Sequence, residues 1–342
     1  MNTMLLPASE ENTALAARLL AEGQIVAIPT ETVYGIAGSA FDGDAVKKIF
    51  AAKGRPQDNP LIVHVDSLER MEQVVAEITP RARKLAEAFW PGPLSMILPR
   101  GPKIADEVCA GLNTVAVRMP SDPVARRLVE LSGLPFAAPS ANRSGSPSPT
   151  TAQDVWADME GRLPLILDGG SCQVGVESTV VSIAGEQPVL LRPGYITKEQ
   201  LEAALGEEVL LAPSITAQLK EGEVAASPGM KYKHYAPKAN VTILQGSFEA
   251  FRAYVEGEKE KGVFCLCFEG EESALPVPCV TYGREGHPDE QAHDLFRALR
   301  ELDERGARQV FARCPEQDGV ALAVYNRLLR AAGFQVIQVA EV

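Results

Sequence analysis

The 342-residue sequence lacks the features that assign a chain to several common classes of protein. No uninterrupted apolar run approaches the roughly 18 residues that a membrane-spanning helix needs. The six cysteines form no C-x-x-C pair and no zinc-type spacing, so no cysteine-held structural metal is expected. Neither G-x-x-x-x-G-K-[ST] nor a G-x-G-x-x-G motif after a strand occurs, which excludes the two best-known phosphate-binding loops.

Composition and charge narrow the class further. A hydrophobic share of 46% and a charged share of 23% are typical of a globular protein, and the length is sufficient for two domains. The formal net charge of −12 argues against a broad surface that coats nucleic acid, but it leaves room for a local basic cleft. The first residues lack a basic region before a long apolar core, so we expect no signal peptide and a reduced, cytoplasmic protein.

One stretch, K-G-R-P-Q-D-N-P-L-I-V-H, combines basic residues with a rigid backbone. It begins at Lys53, where a helical pattern ends, and it finishes inside an apolar, β-branched run. Its glycine and two prolines favour a fixed, non-helical loop that carries Lys53, Arg55 and Asn59. Such cations can be solvated surface charges that suit the negative end of a helix dipole. Alternatively, the rigid loop holds them ready to bind phosphates.

Other polar residues follow predicted strands. The strand 25–28 runs into P-T-E-T-V-Y-G, a turn that we expect to precede a helix, as do many sites in open α/β sheets. His64 lies in the strand 61–65, where a histidine is more commonly a core or edge residue than a catalyst. Arg118 lies among apolar neighbours and needs an anionic partner, either a carboxylate ligand or a structural Asp or Glu. The turn presents Thr30, Glu31, Thr32 and Tyr34.

A third loop, P-S-A-N-R-S-G-S-P-S-P-T-T, joins the strand 135–138 to a predicted helix at 152–159. Its small donors include Ser140, Asn142 and Ser148. Because the loop ends at a helix N-terminus, the hydroxyls, backbone amides and helix dipole could converge on an anion. The alternative interpretation is a flexible Ser/Pro linker.

Two later residues also follow turns. Ser178 lies where a glycine-containing turn enters a strand, and Arg192 is presented by the R-P-G that follows another strand. Both positions suit a site at the edge of the same sheet.

The order of predicted elements indicates an α/β fold with two domains. Strands and helices alternate as far as residue 206, including a helix at 68–75, so residues 1–206 are expected to form one α/β domain with an open twisted sheet. Residues 207–238 lack this alternation and are assigned to a linker. Residues 239–342 are predicted to form a smaller Rossmann-like domain without a nucleotide loop, with its first helix at 248–260.

Taken in order, the motifs resemble those of the threonylcarbamoyl-AMP synthase family, which joins a YrdC-type domain to a linker and a Rossmann-like domain. The resemblance covers essentially the whole chain. It depends on I-P-T-E-T-V-Y-G, K-G-R-P-Q-D-N-P-L-I-V-H, P-S-A-N-x-S-G, G-V-E-S-T-V-V, L-R-P-G and S-P-G-M-K-Y-K-H-Y-A-P.

The resemblance implies that the chain joins L-threonine, bicarbonate and ATP into threonylcarbamoyl-adenylate and pyrophosphate. A transferase complex would then use the product to modify tRNA beside the anticodon, and the resemblance leaves open a weak contact with tRNA. Lys53 and Arg55 would be the catalytic residues. ATP would be held by Lys53, Arg55, Asn59, Thr114, Ser140, Asn142, Ser148, Arg192 and Tyr235, and threonine by Thr32, His64, Arg118, the Ala138 backbone and Ser178.

The resemblance also implies magnesium on the ATP phosphates, no organic cofactor and no membrane partner. Glu31 and Glu177 are candidate bases or outer metal ligands. We expect residues 227–237 to fold across the ATP site, with Tyr232 or Tyr235 touching the nucleotide. Two other functions stay open. One is a non-catalytic RNA-binding module, and the other is a carbamoyl-transfer maturation enzyme, which would need further domains and zinc-type cysteine pairs.

Overall fold

A computed structural model describes residues 1–218, 235–258 and 260–340. The first part of the chain builds one mixed, eleven-stranded sheet, whose strands lie in the order β1-β8-β2-β3-β7-β4-β6-β5-β9-β10-β11. The strands are β1 (Met4–Pro7), β2 (Val26–Ile28), β3 (Gly35–Ser39), β4 (Ile62–His64), β5 (Leu94–Pro99), β6 (Thr114–Arg118), β7 (Phe136–Ala137), β8 (Leu165–Asp168), β9 (Thr179–Ser182), β10 (Val189–Arg192) and β11 (Leu210–Leu211).

Seven of the eight helices of this part begin at a side chain that caps them, the exception being the short helix after Ala105. Ser9, for example, accepts a hydrogen bond from the Asn12 amide at the start of the first helix, whose buried residues recur at helical spacing. The helices are α1 (Glu10–Ala21), α2 (Gly43–Lys53), α3 (Leu68–Met71), α4 (Pro80–Phe89), α5 (Asp106–Cys109), α6 (Pro123–Ser132), α7 (Ala152–Met159) and α8 (Lys198–Leu205).

Two local expectations for this part were wrong. The turn after β2 leads into the antiparallel strand β3 and not into a helix. The helix predicted at 68–75 ends at Met71, because Val74 and Val75 turn away toward the β5 side, where Val75 forms a bridge with Arg100. The sheet continues through Leu210–Leu211, beyond the predicted boundary at residue 206, because β11 pairs with β10.

The second part is a parallel sheet in the order β14-β13-β15-β12-β16, which agrees with the Rossmann-like prediction. The predicted helix 248–260 ends at Glu256, followed by Gly257. Helix α9 covers one face of the sheet, while α10 and α11 pack together on the other. The elements are β12 (Asn240–Gln245), α9 (Phe248–Glu256), β13 (Val263–Cys267), β14 (Cys279–Thr281), α10 (Pro288–Glu304), β15 (Gln309–Arg313), α11 (Ala321–Ala331) and β16 (Val336–Gln338).

The two parts share a hydrophobic core. Val33 and Val176 of the first part pack in the same buried cluster as Phe296 and Leu328 of the second. Polar contacts surround it: Arg300 of α10, for example, donates to Asp158 at 2.8 Å and to the Pro147 carbonyl at 2.6 Å. Within the described residues, no helix is both long and apolar enough to cross a bilayer.

Gly175 lies where the two parts touch, and this contact can be tested. Its φ is +81°, and an added Cβ would lie 2.4 Å from the His293 Cα in α10. Gly170 has a similar φ of +85°, but an added Cβ there would meet no described atom within 4 Å. We expect Gly170→Ala to cost about 1 kcal/mol of unfolding free energy through backbone strain. Gly175→Ala should cost about 1–3 kcal/mol more, through overpacking.

Urea titrations of the two variants and the wild type, followed by both fluorescence and circular dichroism, provide the measurement. Equal losses for the two variants would contradict the tight contact at Gly175.

Candidate active site

The candidate site follows a row of residues across six neighbouring strands. In the registers of β7, β4, β6, β5, β9 and β10, His64 pairs with Phe136 and Arg118, Ser95 pairs with Arg118, and Val180 pairs with Ser95 and Arg192. From His64 to Arg192 there are four inter-strand spacings, or roughly 19 Å. Sequence-distant polar residues therefore lie along one line.

A pocket opens along this row, with a volume of about 60 Å³. Most of the site residues that the sequence analysis selected line this pocket. Its lining comprises Thr30, Thr32, Val33, Gly35, Arg55, Ile62, His64, Arg118, Ala138, Pro139, Ser140, Glu177, Ser178, Arg192 and Tyr235.

Arg118 is the buried cation at one end of the pocket. Its Nη2 lies 2.6 Å from Glu31 Oε1, its Nη1 donates to Thr32 Oγ1 at 2.8 Å, and its Nε donates to the Gly92 carbonyl at 3.3 Å. Burial alone would raise the pKa of Glu31, but the positive charge of Arg118, together with hydrogen bonding to the carboxylate, outweighs burial and lowers that pKa. The anionic partner that Arg118 needs is thus present in the protein, and the guanidinium still lines the pocket.

His64 neighbours Arg118 and is held as a neutral imidazole. Its ring stacks on Phe136 with centroids 5.9 Å apart. Burial, and next the charge of Arg118, lower the pKa of His64 to about 3. Its Nδ1 atom is buried and has no hydrogen-bond partner among the described residues. A ligand in the pocket can satisfy that nitrogen.

Lys53 lies beneath the loop that follows β7 and does not line the cavity. Its Nζ donates to the carbonyls of Ser140 and Asn142, the latter at 2.8 Å, and it lies 3.4 Å from Asn142 Oδ1. Burial, and next the charge of Arg55, lower the pKa of Lys53 to about 7. These contacts indicate that Lys53 shapes the loop carrying Ser140 and Asn142, whose side chains also bond to each other at 2.6 Å.

Arg55 extends from the rigid loop into the pocket. Its guanidinium lies 5.9 Å from the centroid of Phe50, and its Nη2 is 3.4 Å from the Asn59 carbonyl. Asn59 is fully buried and does not line the cavity. In this structure, the backbone of Asn59 thus helps to orient Arg55.

Arg192 lies at the other end of the row, and it contacts Ser178. Arg192 donates to the Ser178 carbonyl at 3.1 Å and to its Oγ at 3.2 Å. The Ser178 hydroxyl is also 2.8 Å from the buried Ser95 hydroxyl, and Ser95 pairs with Arg118 across the strands. Ser178 therefore connects the two ends of the pocket.

Glu177 brings a carboxylate to the same wall. Its Oε1 accepts a hydrogen bond from Ser148, and its Oε2 lies 3.1 Å from the Nε of Arg327 in α11. Both partners are buried. Removing one partner of a buried ion pair typically costs about 3–5 kcal/mol, because the other charge is left uncompensated.

Tyr235 closes part of the pocket from the far end of the linker. It is buried, it packs 5.3 Å from Phe296, and its φ of 63° is unusual for a tyrosine. The Ala236 amide donates to the Gly145 carbonyl at 2.9 Å, which ties this end of the linker to the serine-rich loop. The rest of the predicted cover up to residue 234, including Tyr232, lies outside the described residues.

Two further features differ from the sequence-based picture. The N-terminus of α7 does not form an open anion cradle, because Thr151 and Asp154 make a capping box there. Thr114 does not line the pocket. It shares a sheet face with Ala116 and Arg118 but starts the strand that Arg118 ends, roughly 13 Å away.

Sequence reasoning missed Arg327 and Ser95 entirely. Ser95 gave no signal, since a serine in an apolar strand is common. Arg327 did give a signal, because it lies in the mostly apolar run A-L-A-V-Y-N-R-L-L-R-A. In the structure, all residues of this helix except one are buried. A buried arginine needs a partner, but the sequence could not locate it 150 residues away.

Within the described parts of the chain, no group of three or more His, Cys, Asp or Glu side chains could hold a metal ion. The polar lining of the pocket consists mainly of arginine and hydroxyl-bearing side chains. Fold and pocket together define an α/β protein whose buried pocket is lined by three arginines, a donor set suited to carboxylates and phosphates.

Comparisons with known proteins agree with this class. A family model described as telomere recombination matches residues 18–194, and one described as threonylcarbamoyl-AMP synthase, C-terminal domain, matches residues 196–333. A relative named threonylcarbamoyl-AMP synthase from Bacillus subtilis is 45% identical over 339 residues, covering 97% of this chain and 96% of its own. One of the same name from Pyrococcus abyssi is 42% identical, covering 95% of each chain.

Solved structures give the same result. The structure of P. abyssi Sua5 complexed with L-threonine is 41% identical, with a TM-score of 0.93, covering 99% of this chain and 100% of its own. The chain belongs to the threonylcarbamoyl-AMP synthase family.

The neutral state of His64 predicts a pH dependence of stability. Its pKa is about 3 in the folded chain and near 6.5 when exposed. Between these values the unfolded chain binds more protons, so the unfolding free energy falls as the pH is lowered through this window. Glu31, with its lowered pKa, acts in the same direction at the acidic end. In the variant His64→Gln, the unfolding free energy should therefore fall less steeply as the pH is lowered.

Urea titrations between pH 4 and 8 provide the measurement. As an internal control, the difference between variant and wild type should be constant above about pH 7.5, where a histidine is neutral in both states. Identical slopes below pH 6 would show that His64 is not held neutral.

Proposed function

We propose that the chain synthesises L-threonylcarbamoyladenylate from L-threonine, bicarbonate and ATP, releasing pyrophosphate. The observation that carries this proposal is a single row in which Arg118 is followed, three inter-strand spacings away, by Arg192. One arginine suits the carboxylate of an amino acid, and the other suits phosphates. The two substrates would then meet between them.

The chemistry requires positioning more than a protein nucleophile. The threonine amine forms a C–N bond with the one-carbon unit of bicarbonate, and water is lost. An oxygen of the resulting carbamate attacks the α-phosphorus of ATP, and pyrophosphate leaves with the bonding electron pair. Such phosphorus chemistry depends mainly on alignment and on neutralising charge. A row of buried donors supplies both.

At the threonine end, we assign the carboxylate to Arg118, whose orientation is set by Glu31 and Thr32. The neutral His64 can accept a hydrogen bond from the amine or hydroxyl of threonine through Nδ1. The Ala138 backbone and Ser178 complete this end.

At the ATP end, we assign the phosphates to Arg55 and Arg192, which line the pocket. Ser140 and Tyr235 line it with them. A second group supports these from behind: Lys53, Asn59, Asn142 and Ser148. We place the nucleoside along the sheet face beside the row, where buried Ile62, Ile97 and Ala116 form an apolar patch with Val180 of the row, on the face that also carries Thr114.

Magnesium fits this site only as a companion of the phosphates. Glu31 and Glu177 are each paired with an arginine, and the described residues contain no cluster of metal ligands. A hard cation held mainly by phosphate oxygens and water matches that donor set. Magnesium would supply charge neutralisation on the phosphates.

The product is a reactive mixed anhydride, so we propose that residues 227–237 cover the site during synthesis and that a tRNA-modifying transferase consumes the product. The buried position of Tyr235 against the pocket supports this cover.

Pyrophosphate release should require threonine and bicarbonate together, because the carbamate must form before the α-phosphorus is attacked. The measurement is the rate of pyrophosphate release from ATP with each component omitted in turn, and with serine or alanine in place of threonine. Equal release without an amino acid would contradict the proposal.

Arg55 and Arg118 should fail differently. Arg55→Ala should lower kcat/KM for ATP by on the order of 10²-fold, as when a preorganised charged donor is lost. Replacing Arg118 should mainly raise the KM for threonine, by about 10- to 100-fold, the equivalent of one charged hydrogen bond.

Because Arg118 also pairs with Glu31, the informative variant is the double change Arg118→Met/Glu31→Gln, which leaves no buried charge behind. Arg83→Ala, an exposed change on α4, is the matched control. An unchanged KM for threonine in the double variant would show that Arg118 does not bind the carboxylate.

A further inference from the structure

Helix α11 has almost no solvent-exposed side chain, although it contains three polar residues. Every residue of this helix except Leu322 is buried. Asn326 donates to the Ile215 carbonyl at 2.7 Å, and Arg330 donates to the Ser214 carbonyl at 2.8 Å. The polar groups of this C-terminal helix therefore face the first part of the chain.

Arg327 is the central member of this set and is fully buried. Its Nε and Nη2 lie 3.1 Å from Oε2 and from the carbonyl oxygen of Glu177. Its Nη1 donates to the Pro193 carbonyl, and its guanidinium lies 6.0 Å from the ring of Tyr235. One side chain of the C-terminal domain thus contacts three separate segments of the pocket wall.

Each of these segments carries or contacts a residue that we assign to the ATP end. Glu177 accepts from Ser148, Pro193 follows Arg192 directly, and Tyr235 lines the pocket. We propose that Arg327 is a positioning residue for the ATP end of the site, acting through Glu177, so that the C-terminal domain completes the active site. This inference rests on the proposed function.

Charge gives the physical reason. Glu177 lines a pocket whose ligand carries phosphates, and an unpaired carboxylate there would repel them. Arg327 neutralises this carboxylate and directs its oxygens toward itself and Ser148. Without Arg327, Glu177 would face the phosphates uncompensated, and the positions of Arg192 and Ser148 would relax.

The test compares Arg327→Met and Arg327→Lys with Arg313→Met in the full chain. Arg313 is an equally buried arginine of the C-terminal domain, and it pairs with Glu271 and Glu285, away from the pocket. It reports what the loss of any buried arginine does to stability. For each variant, the Tm, the ATP affinity by equilibrium titration, and kcat and KM for ATP and for threonine are measured below the lowest Tm.

Arg327→Met should lower kcat/KM for ATP by about 10²-fold, which is the loss expected when reacting groups are misplaced by about 1 Å. The KM for threonine should change by less than about threefold, because Arg118 and His64 are held by other contacts. Arg327→Lys should recover part of the loss. Arg313→Met should lower the Tm with no comparable change in the ATP parameters.

The double variant Arg327→Met/Glu177→Gln tests whether Arg327 acts through Glu177. Removing the uncompensated charge should restore at least about tenfold of the loss in kcat/KM for ATP. Additive losses, or equal effects on the ATP and threonine parameters, would overturn the inference. An effect of Arg327→Met no larger than that of Arg313→Met would also overturn it.

Two further results are interpretable. If Arg327→Met does not fold, Arg327→Lys is compared with the control Arg313→Lys. The inference then requires that Arg327→Lys binds ATP more weakly than Arg313→Lys does. If the wild type releases no pyrophosphate with threonine and bicarbonate, the proposed synthesis fails. The ATP titrations then still decide whether Arg327 positions a nucleotide site.

Discussion

Four buried cations line or adjoin the pocket of this protein, and the need to compensate their charge is the constraint that shapes the site. Lys53, Arg55, Arg118 and Arg192 are each no more than 9% exposed. Buried charges are tolerated only when they are paired or hydrogen-bonded. The structure provides carboxylates and backbone carbonyls for this purpose, and burial together with neighbouring charge still lowers the pKa of Lys53 to about 7. Such a site is favourable for anions, in a chain whose net charge is −12.

The compensation is divided between the two parts of the chain. At the end that we propose for threonine it is local, since Glu31 lies three residues after β2 and pairs with Arg118 of β6 in the same sheet. At the end that we propose for ATP it comes partly from the C-terminal domain, whose Arg327 pairs with Glu177. On this proposal, a Rossmann-like sheet without a phosphate loop contributes to nucleotide chemistry by supporting a site that another domain carries.

The sequence alone predicted much of the fold and most of the pocket, because its signals are local. Pro, Gly and Ser motifs identified the loops that carry Arg55 and Ser140. The apolar neighbours of Arg118 predicted that this residue has an anionic partner. Long-range pairing was not predictable: nothing local to Glu177 indicates Arg327. The antiparallel β3 and the early end of α3 also depend on pairing with distant strands. The capping box formed by Thr151 and Asp154, by contrast, is a local signal that the sequence carries.

The central claim is that one row of strand ends holds both substrates, and a crystal structure with L-threonine and an ATP analogue that cannot release pyrophosphate tests it most directly. The account predicts the threonine carboxylate within about 3.2 Å of the Arg118 guanidinium. It also predicts phosphate oxygens at Arg55 and Arg192, with the threonine amine directed toward the α-phosphorus. A nucleotide bound in the C-terminal domain, or a threonine whose carboxylate does not contact Arg118, would contradict the account.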